Sequence, residues 1–513
     1  MSNTLIISVI VIYFLVLVFI AWRTSREADN NSFFLGEKKS PWYIVSFGMI
    51  GASLSGVTFI SVPGGVDGGQ FSYMQMVFGY FIGYLVVSYV LMPIYYKMNL
   101  TSIYEYLKHR FGFWSYKTGA AFFLLSRIIG ASIRLLLVAS VLQQILFDDW
   151  GIPFWVTVVI SVLLIWIYTN RGGIKTIIWT DTLQTAFMLF AVLFTVWLVS
   201  DALHLAGKGG LVNAVADSKY SQIFFFDDWQ SGNYFWKHFL GGIFITIGMT
   251  GLDQDMMQKN LSCKNIKDAQ KNMLSMAVVL VVVNLVFLAM GALLFMYNSS
   301  TGIGNDVLEA GRTDLLFSSI AMEGSMGITV GLLFLLGLIA AAYSSADSAL
   351  TSLTTSFSVD FLNVNEKKDQ QISVSNDELL DSVKKSGTKQ EKIRKMVHIA
   401  MSFVLILVVI ILRYTTEDSA IWLLIKLAGF TYGPLIGLFF FGILTKRKLK
   451  DTLVPIVCVL VGGGMATIWY LVSNDLVDWF GEYKFGAELI IYNALLSFGA
   501  LFLISKRNPK ALN

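Results

Sequence analysis

The sequence of 513 residues has few of the residue types on which soluble and disulfide-stabilised proteins depend. Only 14% of its residues are charged, and it has 7 prolines and 2 cysteines. Soluble globular proteins carry about 25% charged residues, and disordered chains are poor in apolar residues. The composition therefore excludes an ordinary soluble enzyme, a disordered chain and a fibrous repeat. Two cysteines form neither a disulfide framework nor a metal motif.

Motifs of common enzymes and pumps are also missing from the sequence. Without a G-x-x-x-x-G-K-[ST] loop, ATP-driven transport is disfavoured, and without H-E-x-x-H or G-x-S-x-G an intramembrane enzyme is disfavoured too. No basic arm or basic–aromatic stripe indicates binding to nucleic acid. No segment indicates an obligate protein partner.

Long apolar runs dominate what is present, since 55% of the residues are hydrophobic. About 20 apolar residues are needed to cross a bilayer as a helix, and continuous runs exclude the alternating pattern of an outer-membrane barrel. The sequence therefore predicts an all-α polytopic membrane protein with about thirteen transmembrane helices. The predicted spans are 5–22, 41–66, 71–96, 118–147, 153–170, 174–200, 236–257, 272–297, 327–359, 396–414, 418–444, 452–473 and 486–505.

Lysine and arginine residues predict the orientation of these spans, because they concentrate in cytoplasmic loops. If the N-terminus is outside, 29 of the 38 lysines and arginines fall in cytoplasmic segments, six fall in outer segments and three lie within spans. We therefore expect a multi-pass plasma-membrane protein, of the bacterial inner-membrane type, with the N-terminus outside and the C-terminus in the cytoplasm. The loop 201–235 is then outside, and the polar segment 361–395, interpreted as a mobile connector, is inside.

The second predicted span has small and hydroxyl residues where a continuous helix would gain little from them. Gly51, Ser53, Ser55, Gly56 and Thr58 lie near its centre. A helix interrupted there would expose backbone carbonyls and amides that can bind an ion and a solute. Close packing of helices through small residues is the alternative interpretation.

The seventh predicted span has a similar composition, with Gly241, Gly242, Gly248, Thr250 and Gly251. Interrupted helices at corresponding positions of two halves are typical of inverted repeats. We therefore expect a single transmembrane transporter domain over 1–513. An extra N-terminal helix at 5–22 precedes a first repeat at 41–200, and a second repeat at 236–444 and two C-terminal helices at 452–505 follow.

The ninth predicted span has polar groups on one face. Ala341, Ser344, Ser345 and Ser348 are spaced i, i+3, i+4 and i+7, so they share a helix face. Hydroxyl oxygens on that face, beside carbonyls freed in the second span, suit a hard monovalent cation. The alternative is that the serines are packing contacts between helices.

Two carboxylates lie at membrane depth, Asp181 in the sixth span and Asp347 one position round from the serine face. Charged groups are costly in hydrocarbon, so each is a candidate cation ligand or proton carrier. For Asp181 the alternative is that it only pairs with a cytoplasmic base such as Lys175 or Arg171.

Arg127 and Arg134 lie seven residues apart in the fourth span and therefore on one helix face. Neither loses its proton at neutral pH, so each must meet water, a carboxylate or an anionic ligand. With the hydroxyls of Ser53, Ser55 and Thr58, Arg134 favours a carboxylated, polyhydroxy solute held bidentately. For Arg127 the alternative is to snorkel to the cytoplasmic interface or to hold a gate.

Six motifs, in order along nearly the whole chain, resemble those of the sodium:solute symporter family. That family includes carriers of glucose, proline, sialic acid, iodide and pantothenate. The motifs are Ser53-Leu54-Ser55-Gly56 with Pro63-Gly64, Thr101-Ser102-Ile103-Tyr104-Glu105-Tyr106-Leu107 with Arg110-Phe111-Gly112, Trp179-Thr180-Asp181 with Gln184, Asp253-Gln254 with Gln258, Ala341 to Ser348, and Gly433-Pro434-Leu435 with Gly437.

The resemblance implies a leucine-transporter-like five-plus-five inverted-repeat fold and sodium-coupled alternating access. It also implies two sodium sites and a solute pocket in this chain. The main sodium site would consist of the carbonyls of Gly51, Leu54 and Ala341 and the hydroxyls of Ser344 and Ser345. The second would use Asp181, Ser344 and Ser348, with Asp347 standing where relatives often have serine or threonine. The solute would contact Ser53, Ser55 and Thr58, with Gln75, Arg127 and Arg134 as further candidates.

The predicted function is a sodium symporter that imports a carboxylated sugar such as sialic acid, or another organic anion. The alternatives are a sodium symporter of a neutral sugar or polyol and a non-transporting sensor with the same fold. The expected partners are a small-molecule solute, the co-transported sodium ion and the lipid bilayer.

Overall fold

The structure, a computed structural model, consists almost entirely of helices. It describes residues 3–25, 33–34, 36–170, 173–205, 210–323, 327–364, 376–415 and 420–507. Helices form here because a backbone in hydrocarbon must satisfy its hydrogen bonds within its own segment. The helices of the bundle, labelled in chain order, are α1 (Asn3–Thr24), α2 (Trp42–Ser53), α3 (Gly56–Gly64), α4 (Tyr73–Val86), α5 (Phe113–Leu142), α6 (Phe154–Thr169), α7 (Ile174–Ala202), α8 (Phe235–Thr246), α9 (Gln254–Leu261), α10 (Ile266–Thr301), α11 (Ile328–Ser356), α12 (Asn376–Thr415), α13 (Ala420–Leu444), α14 (Val454–Ser473) and α15 (Leu489–Leu503).

Shorter elements extend and connect these helices. A π-helical turn follows each of α4, α5, α8 and α11, and two short strands, β1 (Lys448–Leu449) and β2 (Ser505–Lys506), pair antiparallel. The connecting helices are Val66–Gly69, Met92–Lys97, Glu105–Arg110, Gly210–Ala216, Asn305–Glu309 and Leu316–Glu323.

The helices agree with an all-α membrane protein. Within the described residues, nine helices are long and apolar enough to cross a bilayer, and the bent pair α2–α3 forms a tenth span. The apolar helices α6 and α15 are shorter. The predicted count of thirteen spans and the bounds of the two repeats remain predictions.

Helix α11 occupies the centre of the bundle and α14 its periphery. In the most apolar 18-residue stretch of each helix, about 78% is buried inside the protein for α11 and 17% for α14. Small residues let neighbouring helices approach α11 closely, as the membrane packing rule predicts. A Cβ atom on Gly337 would lie 2.6 Å from the ring of Phe59 on α3.

The predicted interruption of the second span is present. Helices α2 and α3 are bent by 53° relative to each other. Leu54 ends α2 with φ −86° and ψ 70°, and Ser55 is extended with φ −66° and ψ 172°. Gly51 still packs closely, because a Cβ there would lie 2.1 Å from the hydroxyl of Thr185 on α7. The small residues of this span therefore serve both the interruption and the packing.

The seventh span is interrupted as well, between α8 and α9. After the π-helical turn Ile247–Gly251, Asp253 adopts an extended backbone with φ −105° and ψ 121°. Its carboxylate caps α9 by accepting hydrogen bonds from the amides of Asp255 and Met256. This arrangement is the usual N-cap of a helix.

Loops that the sequence assigns to one side of the membrane contact one another. On the side predicted as cytoplasmic, Arg110 donates to the carbonyl of Gly442 at 3.0 Å, and the amide of Ser40 donates to Ser262 at 3.1 Å. On the other side, the amide of Phe71 donates to the carbonyl of Gln222 at 3.0 Å. These contacts join segments that the sequence assigns to one side, and which side faces the cytoplasm remains a prediction.

Two predicted boundaries are wrong. The seventh span was expected to end at 257, with Lys259 in a cytoplasmic loop, but α9 continues to Leu261 and Lys259 is buried. The segment 361–395 was interpreted as a connector, but α12 begins at Asn376. In both cases a polar sequence by itself favours a loop, whereas tertiary contacts and a long helix extend the regular structure.

Candidate ion and solute site

The interruption between α2 and α3 lies directly against α11. A Cβ atom on Gly56 would lie 3.4 Å from the Cα atom of Ala342, so the two backbones are in near contact. Ala342 adjoins Ala341, and Gly56 follows Leu54 by two residues. The freed backbone of the interruption and the serine face of α11 therefore lie at the same level of the bundle.

The residues expected at the main sodium site are all buried there. Gly51 and Leu54 are on α2 and at its end, and Ala341, Ser344 and Ser345 are on α11. The hydroxyl of Ser345 donates to the carbonyl of Ala341 at 3.3 Å. Carbonyl and hydroxyl oxygens suit a hard cation, and the sodium site at these residues stays a prediction.

The second expected sodium set is centred on Asp181, a fully buried residue of α7. The hydroxyl of Ser344 donates to its Oδ1 atom at 2.7 Å, and that of Ser348 donates to its Oδ2 atom at 3.3 Å. The alternative of an ion pair with a base predicted as cytoplasmic is present, but the base is not Lys175, which contacts Glu37 at 2.7 Å. Arg171, the other base considered, lies outside the described residues.

The base that pairs with Asp181 is Lys259, which the sequence did not single out. Its Nζ atom lies 2.7 Å from Oδ2 of Asp181, and both side chains are 1% exposed. A signal was present in the sequence, because Lys259 follows Gln258 in the motif of the interrupted seventh span. This signal is weak, because a lysine just beyond an apolar run is normally a loop residue.

Asp347 also lies in this part of α11, between the buried residues Ala346 and Ser348. Its Oδ2 atom accepts a hydrogen bond from the hydroxyl of Tyr168 at 2.8 Å. Its Oδ1 atom has no hydrogen-bond partner among the described residues. Asp347 and Asp181 thus share a buried region with Lys259, although the described ion pair of Lys259 is with Asp181 alone.

A cavity of about 130 Å³ opens beside the interruption of α2 and α3. Ser53, Ser55 and Thr58 line it, as does Arg134. No carboxylate is among its described lining residues, so its charged surface is positive. The remaining lining residues are Ala52, Val57, Tyr73, Tyr80, Tyr84, Arg127, Ile245, Thr246, Met249, Thr250, Met256, Leu424 and Ile425.

The two arginines of α5 differ in their partners. Arg127 contacts Asp255 through Nη2, and its Nη1 atom lies 3.8 Å from Asp253. The alternative that Arg127 snorkels to the interface is therefore wrong. Arg134 is 8% exposed and forms no hydrogen bond or ion pair with any described residue. Two guanidiniums line the cavity, and within the described structure that of Arg134 is the one without a carboxylate contact.

Gln75, expected at the solute pocket, is not among the residues that line this cavity. Its amide nitrogen donates to the carbonyl of Asn233 at 2.9 Å, and its oxygen accepts from the amide of Phe225 at 3.1 Å. Gln75 therefore holds the loop 201–235 against α4. Gln75 thus lies on a helix of the predicted span 71–96, but it contacts the loop and does not line the cavity.

A comparison with known protein families shows to which family this chain belongs. The sequence matches the model of the sodium:solute symporter family over residues 33–451. The chain belongs to this family. It is accordingly a membrane transporter and not an enzyme, as the sequence predicted, and the ion expected at the α2–α11 contact is a co-transported sodium.

Individual relatives of this symporter are distant. It is 28% identical to human sodium-coupled monocarboxylate transporter 2 over 52% of the chain and 43% of that transporter. It is 24% identical to the sodium/sialic acid symporter NanT of Aliivibrio fischeri over 88% of the chain and 84% of the relative. For the sodium/sialic acid symporter SiaT of Proteus mirabilis the identity is 24%, with 83% and 81% covered. The chain thus spans less than half of the human transporter.

Solved structures show that the symporter has the leucine-transporter-like fold predicted from its motifs. A Na⁺-coupled sialic acid symporter in a substrate-bound, outward-open state aligns with a TM-score of 0.73 at 22% identity, covering 98% of this chain and 99% of that one. A nucleobase–cation symporter in a closed conformation aligns with a TM-score of 0.54 at 14% identity, covering 92% and 94%.

Proposed function

We propose that this symporter couples the inward movement of one small organic carboxylate to sodium entry by alternating access. The observation that carries the proposal is the position of Leu54. Its carbonyl belongs to the expected sodium set, and its neighbours Ser53 and Ser55 line the cavity. An ion and a solute bound at one helix interruption stabilise the same conformation, which is the thermodynamic requirement for coupling.

The charge of the cavity supports an anionic solute. Arg134 keeps its proton at neutral pH and contacts no described carboxylate. A bound carboxylate would supply the missing counter-charge and could accept two hydrogen bonds from the planar guanidinium. Hydroxyl groups of Ser53, Ser55 and Thr58 would then hold the rest of the solute.

The similar proteins support two kinds of carboxylate. A small monocarboxylate agrees with the likeness to human sodium-coupled monocarboxylate transporter 2. A sialic acid is favoured by the likeness to NanT and SiaT over more than four fifths of the chain.

Uptake by proteoliposomes tests the proposal. Radiolabelled lactate, pyruvate, a sialic acid, glucose and a polyol are offered under an inward sodium gradient, with an equal potassium gradient as the control. We expect saturable, sodium-dependent uptake of lactate, pyruvate or the sialic acid. Preferred uptake of glucose or the polyol would contradict an anionic solute, and binding without any flux would instead indicate a sensor.

A further inference from the structure

Lys259 is a buried lysine whose only described ion pair is with Asp181. It lies on α9, just after the interruption of the seventh span, and its side chain is 1% exposed. An ammonium group removed from water is strongly destabilising unless a carboxylate neutralises it. The distance of 2.7 Å between Nζ and Oδ2 provides that neutralisation. The pair therefore belongs to the folded core and not to the membrane surface.

The same carboxylate is the centre of the second sodium set expected from the sequence. Ser344 and Ser348 direct their hydroxyl hydrogens toward Asp181, at 2.7 and 3.3 Å. The carboxylate is thus engaged by two hydroxyls and one ammonium. A sodium ion there would have to displace Lys259 or approach it closely, and like charges repel strongly in a medium of low dielectric constant.

We propose that Lys259 is a tethered cation that fills the second cation site of this chain. The symporter then binds sodium at the main site alone and couples one sodium ion to each solute. This inference rests on the proposed function, because the coupling ratio presupposes sodium symport. The binding experiment below, however, counts sodium ions without any solute.

Helix α9 gives this arrangement a mechanical consequence. Lys259 belongs to the interrupted seventh span and Asp181 to α7, so the ion pair joins the two predicted repeats. A free sodium ion can leave such a junction during transport, whereas a tethered ammonium cannot. The charge of the site is therefore kept through the cycle and contributes no driving force from the sodium gradient.

Sodium counting tests the inference. Binding of ²²Na⁺ to the purified protein without solute should give one ion per chain and a hyperbolic isotherm. Lys259→Gln removes the tethered charge but keeps a hydrogen-bonding side chain, so Asp181, Ser344 and Ser348 become free to bind sodium. We expect two ions per chain and a sigmoidal isotherm in this variant. Lys259→Arg, which keeps a cation, should still bind one.

Lys175→Gln is the matched control, because Lys175 forms an ion pair of the same length with Glu37 away from the serine face. It should bind one sodium ion. Two ions bound by the wild-type protein would overturn the inference, as would a folded Lys259→Gln protein that binds one. If Lys259→Gln does not fold, the wild-type count decides by itself. No sodium bound by the wild type would instead refute the proposed function, and the inference with it.

Discussion

Arg127 and Arg134 lie two turns apart on α5, and within the described structure only Arg127 contacts carboxylates, those of Asp253 and Asp255. The two guanidiniums therefore have different roles although they share a helix face. Arg127 connects α5 to the interrupted seventh span, and Arg134 presents to the cavity a guanidinium without a carboxylate contact among the described residues. Substitutions of each arginine test this difference.

Arg134→Lys should weaken the binding of a carboxylate without changing sodium binding. Lysine keeps the charge but lacks the planar pair of donors. Hydrogen bonds to charged groups contribute about 1.5–3 kcal/mol, so the KM for the carboxylate should rise roughly 10- to 100-fold. Uptake kinetics and ²²Na⁺ binding measure the two effects. Arg312→Lys, at an exposed loop position, is the control, and an unchanged KM in Arg134→Lys would show that Arg134 does not contact the solute.

Ser345→Ala should weaken sodium activation of transport. A bound sodium ion would lose one hydroxyl oxygen at a buried site, where an unpaired polar partner costs about 1–3 kcal/mol. We therefore expect the sodium concentration for half-maximal uptake to rise roughly tenfold. Ser352→Ala is the control, because Ser352 is equally buried on α11 and donates to the carbonyl of Ala349 at 2.9 Å. Equal sodium dependence in both variants would remove Ser345 from the site.

Arg127→Gln should destabilise the folded protein. Breaking a buried ion pair from one side costs about 3–5 kcal/mol, because the remaining charge has no partner. The double variant Arg127→Gln with Asp255→Asn should be more stable than Arg127→Gln alone, as thermal unfolding in detergent can measure. Lys395→Gln breaks a half-exposed pair with Glu391 and should have little effect. A double variant no more stable than the single one would argue against the Arg127–Asp255 pair.

Gln75→Leu should lower stability and leave the KM for the solute unchanged. The amide of Gln75 holds the loop 201–235 through Asn233 and Phe225, and removing it leaves those backbone groups without a partner. Thermal unfolding and uptake kinetics separate the two properties. A KM that rises as much as in Arg134→Lys would place Gln75 at the solute after all.

Lys446→Cys and Asp217→Cys should react with an impermeant maleimide from opposite sides of the membrane. Lys446 follows α13 on the side predicted as cytoplasmic, and Asp217 lies in the loop predicted to be outside. The native thiols do not interfere, since Cys263 and Cys458 are both buried and burial raises the pKa of the Cys263 thiol to about 12. Labelling of both positions from one side would contradict the predicted topology.

Much of the fold and part of the site could be predicted from the sequence. The interruptions near Leu54 and Asp253 are local features, because glycine and hydroxyl residues weaken a helix wherever it packs. The cavity residues Ser53, Ser55 and Thr58 follow from the position of the first interruption. The role of Gln75 did not follow, since it depends on where a distant loop meets α4.

The sequence by itself determined which segments become membrane helices and where two of them are interrupted. Those choices depend on hydropathy and on hydrogen bonds within a segment, which are local properties. Only the tertiary structure decided which buried charges meet. Asp181 and Lys259 are 78 residues apart, and Arg127 and Asp255 are 128 residues apart. A charge in a low-dielectric interior pairs with an opposite charge close to it in space. The packing of helices from different parts of the chain determines which residue supplies that opposite charge.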